Sequence, residues 1–267
     1  MAHVPAPTKA NPLFHYHACA HAFSARFTRP FEQQIDVQAA SSLCVSGGHG
    51  CARVDNFRFR EFISFKAGYT HVSGGFQDDD ESNNTLVTST LEGLNMLDVL
   101  TADRVVCRLY TKHPKGVAEG RITMHGSKFE NLRICGHPAN IDLDFALFEN
   151  IQTFEQAQDA YSDEDSAFHR LAADPFKSGQ VLEKQGDDGV FLCSLVKGDI
   201  QVDYPGVEKS RHSLYVPGFG TVYFAEVFMT HGQRTLTMLR FELGSSTSGS
   251  GSGGSGSTNG KQYPPSG

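Results

Sequence analysis

From Phe14 to Leu243 the chain alternates apolar and polar residues with a period of two, in runs broken by glycines and acidic clusters. That period is the mark of strands with one buried face. The stretch HACAHAFSARF sets Cys19, His21, Phe23, Ala25 and Phe27 on one side. SSLCVSGGHGCARVDNF reads as strand, glycine turn, strand. EFISFKAGYTHVSG sets Phe62, Ser64 and Lys66 against Ile63 and Phe65. TLVTSTLEGL and DRVVCRLYT are β-rich and are joined by NMLDVLTA, a bend or short helix. RITMHGSKFENLRICG and ANIDLDFALF continue in the same style. GVFLCSLVKG and SLYVPGFGTVYFAEVFMTHGQRTLTMLRFEL close the pattern, with His231-Gly232 as a hairpin turn between two alternating runs.

One segment breaks the period. Over residues 153–172, TFEQAQDAYSDEDSAFHRLA, Phe154, Ala157, Ala160 and Tyr161 fall on one helical face. Thr153 caps that helix, and Phe168 and Leu171 continue the face after a break at Ser162. The reading is a single antiparallel all-β domain over 12–244, a sandwich or a barrel, with one helical insertion at about 153–172. Residues 1–11, with Pro5 and Pro7, read as a flexible arm. Residues 245–267 read as a flexible tail, because SSTSGSGSGGSGSTNG offers no apolar side chain to bury.

Composition narrows the class. The chain has 267 residues, enough for a sizeable core, with 20 Phe and no Trp, so phenylalanine supplies most of the aromatic interior. Net charge is −7 and no Lys/Arg block occurs, which argues against nucleic acid and anionic membranes. No apolar run approaches the roughly 18–20 residues that span a bilayer. The first residues carry no apolar signal-peptide core, so the default location is cytoplasmic, with surface display only by another export route. The six cysteines form no CxxC pair and read mostly as buried reduced thiols. Cys44 and Cys51 flank a glycine turn that would bring them together for a disulfide in an oxidising compartment.

Candidate chemistry centres on FHYHACAH. In a strand, His15, His17 and His21 share a face, with His15 and His17 roughly 6.5–7 Å apart along it. That spacing suits two ligands of one zinc, copper or iron ion, completed by a carboxylate or histidine from elsewhere. The competing reading is histidines on a partly exposed strand. His49, His71, His125, His137 and His231 read as turn residues. Asp55-Asn56 and Asp78-Asp79-Asp80-Glu81 carry oxygen ligands for calcium but lack EF-hand spacing, so solvated loops are the simpler reading. Asp142 and Asp144 alternate with Ile141 and Leu143 on one strand face. No GxSxG or HExxH is present, and GGHG lacks the lysine and helix of a phosphate loop.

The segments LVTSTLEGLNMLDVLTADRVVCRL, GSKFENLRICGHPANIDL, YVPGFGTVYFAEV and LTMLRFEL resemble the bacterial choice-of-anchor P family, over residues 38–150 and 212–243. The resemblance implies an extracellular all-β domain, often at the cell surface, with no assigned catalytic residue. The chain departs from that family's setting in showing no export signal and no sorting or membrane anchor. The function expected is a non-enzymatic structural or binding module. Its rivals are a metal-dependent enzyme built on His15 and His17, and a carrier of an apolar small molecule inside a phenylalanine-rich barrel.

Overall fold

A computed structural model describes residues 13–117, 119–172, 190–231, 233–244 and 247–263. The strands β1 (Leu13–Arg29), β2 (Gln33–Gln38), β3 (Ser41–Ser42), β4 (Gly48–Phe59), β5 (Ile63–Gln77) and β6 (Ser82–Met96) come first. They are followed by β7 (Leu100–Pro114), β8 (Arg121–Thr123), β9 (Lys128–Glu130), β10 (Arg133–Ile134) and β11 (His137–Asn140). Three short helices, α1 (Phe145–Asn150), α2 (Phe154–Ser162) and α3 (Ala167–Ala172), interrupt the strands. Then come β12 (Val190–Ser194), β13 (Gln201–Val202), β14 (Glu208–Ser210) and β15 (Ser213–Val216). β16 (Gly220–Thr230), β17 (Gln233–Gly244) and β18 (Ser248–Tyr263) close the fold.

Two antiparallel sheets pack face to face as a sandwich, and no closed barrel forms among the described residues. The first runs β14-β15-β16-β17-β18-β1-β2, with β12 on β16 and β3 on β1. The second runs β13-β11-β10-β7-β6-β5-β4, with β8 and β9 on β7. Aromatic side chains fill the space between them. The Phe23 ring lies 6.0 Å from both Phe65 and Phe241, and Phe57 stacks on Phe65 at 4.7 Å. Each buried phenylalanine contributes about 2–3 kcal/mol.

The expected flexible tail is instead a central strand. β18 pairs with β1 from Leu13↔Tyr263 to Arg29↔Ser248 and with β17 from Gln233↔Asn259 to Gly244↔Ser248. The period-two reading failed here because β18 brings almost no apolar side chain of its own. Its glycines make room for those of its neighbours. A Cβ at Gly251 would stand 2.4 Å from the Phe241 ring, one at Gly256 2.7 Å from Val87, and one at Gly260 2.4 Å from the Phe14 ring. Two backbone ladders and the side chains lying over the glycines offset the entropy of ordering it.

Both sheets are creased across their strands. In the first sheet, Ala225, Met238, Gly254 and Ala22 fall out of register between flanking pairs, with Ala225 at φ +50° and Gly254 at φ +64°. In the second, Asn56, Lys66, Gly93 and Asp103 do the same, with Asn56 at φ +53° and Gly93 at φ +63°. Beyond each crease the inward face changes parity. In β1 it passes from Tyr16, Ala18, Ala20 and Ala22 to Phe23, Ala25 and Phe27. Cys19 and His21 therefore do not share a face with Phe23, Ala25 and Phe27. The alternation breaks at the bend, as it does at β-bulges.

The helical insertion is two helices, α2 and α3, and not one. Thr153 caps α2 as expected: Gln156 N donates to Thr153 Oγ1 at 3.2 Å while Gln156 Oε1 accepts from Thr153 N at 3.1 Å. ANIDLDFALF ends in a helix where a strand was expected. Asp144 Oδ1 accepts from Leu147 N at 3.1 Å and starts α1, competing successfully with the alternating pattern. NMLDVLTA is a hairpin turn, with Leu97 and Asp98 both at positive φ, the type I′ geometry. Thr230↔Gln233 closes the β16–β17 hairpin at His231, with Gly232 outside the described residues. The arm at 1–11 also lies outside them.

Candidate functional site

The candidate site is built by helix α3 and two turns, one at the tip of the β14–β15 hairpin and one after β12. β14 and β15 pair through Ser210↔Ser213, so Arg211 and His212 form the two-residue tip of that hairpin, Arg211 at φ +46°. Asp144 N donates to Leu195 O at 2.7 Å and Lys197 N to Asp142 O at 2.8 Å, which lays 142–144 along 195–197. At the crease, Leu195 N donates to Ala225 O at 2.9 Å, seating this segment against β16. α3 crosses above. Between these elements lies a half-enclosed cleft of about 330 Å³. Ala167, Leu171 and Val196 give it an apolar lining; Arg170, Lys197, Arg211 and His212 supply cations and an imidazole; Asp144 and Asp199 supply carboxylates.

Two of the cationic groups, Arg170 and Arg211, are held by backbone carbonyls. Arg170 Nη1 donates to Asp165 O at 3.0 Å, and Arg211 Nη1 donates to Arg170 O. His212 Nε2 stands 3.5 Å from Glu226 Oε1. Glu226, on β16, is buried, and Arg240 on β17 grips it with Nε at 2.6 Å and Nη2 at 2.9 Å. Burial works to raise the Glu226 carboxyl, but hydrogen bonds from Arg240 and His212 outweigh it and hold its pKa below the usual range. Arg240 also lies 3.7 Å over the Tyr223 ring. Ser194 lines the cleft, but its hydroxyl donates to Phe224 O at 2.8 Å and accepts from Val196 N at 3.1 Å. Backbone groups thus engage that hydroxyl as both donor and acceptor.

A second buried ion pair anchors the helices. Arg234, 1% exposed, donates to Glu119 at 3.1 Å, and both Glu119 oxygens accept from Phe154 N at 2.9 Å. Burial pulls the Arg234 pKa down against the opposing pull of Glu119. This pair ties α2 to the sheet.

His15 and His17 sit on the outer face of β1, opposite Lys261 and Asn259 in β18. No group of three His, Cys, Asp or Glu side chains that could hold a metal occurs among the described residues. The residue opposite His15 is a lysine, whose ammonium opposes a cation. His21 is apart from both: its Nε2 meets Ser252 Oγ at 3.2 Å, and burial lowers its pKa. His125 pairs with Glu149, His231 lies 4.4 Å from the Phe154 ring, and His137 lies 5.3 Å from Tyr204. The acidic run is engaged locally, with Asp80 on Lys112 and Glu81 on Lys115, and Asp55 pairs with Arg53. All six cysteines are free thiols. Cys44 and Cys51 are exposed, as is Cys19, and only Cys107 and Cys193 are buried, so the thiols are less buried than expected.

Of the residues that build the cleft, Asp144 and Leu171 were singled out from the sequence, as a strand-face carboxylate and a helix-face apolar residue, whereas Arg170, Lys197, Arg211 and His212 were not. One signal was present: Glu226 is a lone acid inside VYFAEVFM, and a charge in an apolar run requires a buried partner. Arg211 and His212 carried no local signal, because their convergence with α3 depends on the tertiary fold.

The family model described as Domain of unknown function (DUF8256) matches residues 14–178 and 169–230, more than half of the chain, and the chain belongs to that family. No curated protein and no solved structure matches it.

Proposed function

We propose that this member of the DUF8256 family is a non-enzymatic binding module whose ligand site is the cleft beneath α3 and the Arg211–His212 turn. One observation carries this reading: the side chains of Arg170, Lys197, Arg211 and His212 converge with the carboxylates of Asp144 and Asp199 on one concavity that also presents Ala167, Leu171 and Val196. About 330 Å³ is within the size range of small-molecule pockets. The engagement of Ser194 by backbone groups supports binding over acyl transfer. The resemblance of several strand motifs to choice-of-anchor P domains, which have no assigned catalytic residue, supports the same reading.

The test is a thermal-shift screen of small organic compounds against the protein and an Ala167→Trp variant that fills the cleft mouth. Compounds that raise the melting temperature of the first and not the second support the proposal. Compounds that stabilise both equally, or none that stabilise either, contradict it.

A further inference from the structure

We propose that the protein carries a second binding site, an open groove on the outer face of the first sheet that takes a neutral saccharide. It is separate from the cleft beneath α3 and does not depend on it. The groove begins with β18. A Cβ at Gly251 would point inward at the Phe241 ring, so Ser250 and Ser252 on either side of it point outward. Ser250 lies between Arg26 of β1 and Glu242 of β17, and Ser252 lies between Ser24 of β1 and Arg240 of β17. Ser24, Ser250 and Ser252 make a floor too short to fill the space above it. Arg26 and Gln34, paired across β1 and β2, stand on one side of that floor, and Arg240 stands on the other. The space between them measures about 450 Å³.

Charge selects against ions. Arg26 is paired with Glu32. Arg240 holds Glu226 at 2.6 and 2.9 Å and also donates to Glu242. Each guanidinium at the groove therefore brings its own carboxylate, and no acid lines the groove among the described residues. An anion meets no uncompensated positive charge there, and a cation meets no carboxylate.

The hydrogen-bonding groups select hydroxyls. A serine hydroxyl both donates and accepts, as does the Gln34 amide, and a sugar hydroxyl has the same double capacity. Ser252 Oγ lies 3.2 Å from His21 Nε2 and 3.3 Å from Ser24 Oγ. Two of the floor hydroxyls are thus placed before a ligand arrives, which lowers the cost of ordering them on binding. Val37 of β2 lines the same groove and is 52% exposed, an apolar surface for the C–H face of a sugar ring. A neutral saccharide offers both kinds of surface at once.

The experiment is calorimetric titration of the full chain with cellobiose, maltose, lactose and diacetylchitobiose. Cellobiouronic acid and chitobiose serve as anionic and cationic counterparts of the same size. The titrations are repeated on Ser250→Trp, which fills the groove from an exposed position, on Ser252→Ala and on Ala167→Trp. At least one neutral disaccharide is expected to bind about fivefold or more tighter than either charged counterpart. Ser250→Trp should abolish that binding without lowering the melting temperature, Ser252→Ala should weaken it roughly threefold, and Ala167→Trp should leave it unchanged. If no neutral disaccharide binds, or a charged counterpart binds as tightly, the saccharide assignment is overturned. If binding survives both Ser250→Trp and Ser252→Ala, or is lost in Ala167→Trp, the groove is not the site.

Discussion

Gly251 of β18 lies so close to Phe241 of β17 that a Cβ on the glycine would stand 2.4 Å from the ring's Cζ, with Ser24 O 2.6 Å away on the other side. The position is a slot between an aromatic ring and the backbone of β1. A Gly251→Val substitution should therefore cost about 3 kcal/mol or more through overpacking. Urea unfolding would show it as a lower midpoint. A midpoint within error of the parent protein would mean that β18 stands further from its neighbours than described.

Truncation after Gly244 makes the same point at larger scale. It would strip the ladders from β1 and β17 together and leave two open edges over the core. The expected result is aggregation or a melting temperature lower by on the order of 10 °C. An unchanged melting curve would return this segment to the status of a tether.

Glu226→Gln should destabilise the protein by about 2 kcal/mol, because Arg240 loses a carboxylate that it holds at 2.6 and 2.9 Å in a buried setting. In the parent protein the lowered pKa of Glu226 means that its stabilising contribution is present above the ordinary glutamate pKa and fades as pH falls through the folded value. The acid limb of the stability curve should accordingly be shallower in the variant, read as denaturation midpoints from pH 6 down to pH 3.

His113 is 2% exposed, and its Nε2 meets Val117 O at 2.8 Å while Nδ1 has no partner. Burial lowers its pKa, with the Val117 bond working against that shift. Above about pH 6.5 both folded and unfolded states hold it neutral, so it contributes no pH dependence. Below that the unfolded state takes up the proton more readily, and stability falls until the folded pKa is passed. His113→Phe keeps the aromatic contact with Phe14, now 4.9 Å from the imidazole, and should flatten part of this loss between pH 6.5 and 5. His21, also lowered by burial, should retain the remainder. A variant whose pH profile superimposes on the parent's would show that His113 titrates normally.

The all-β class, the β16–β17 hairpin and the Thr153 cap were legible in the sequence because each rests on local chemistry: alternation, turn residues and a capping hydroxyl. β18 was not legible, because its place depends on side chains that belong to Phe14, Val87 and Phe241. The grouping of Phe23, Ala25 and Phe27 on the face of Cys19 and His21 was misread for a related reason. The crease at Ala22 and Gly254 shifts the period by one residue, and only Gly254 marks it in the sequence. The cleft was invisible for a third reason. Arg170, Lys197 and Arg211 are unremarkable surface cations until α3 and two turns bring them together.

The central claim is that the cleft is where this protein meets its ligand, and amide chemical-shift mapping during titration with a compound that raises the melting temperature in the thermal-shift screen tests it most directly. The account predicts saturable shifts confined to the backbone around Arg170, Leu171, Lys197, Arg211 and His212, absent in Ala167→Trp. Shifts centred on His15 and His17, or a pattern that Ala167→Trp leaves unchanged, would contradict it.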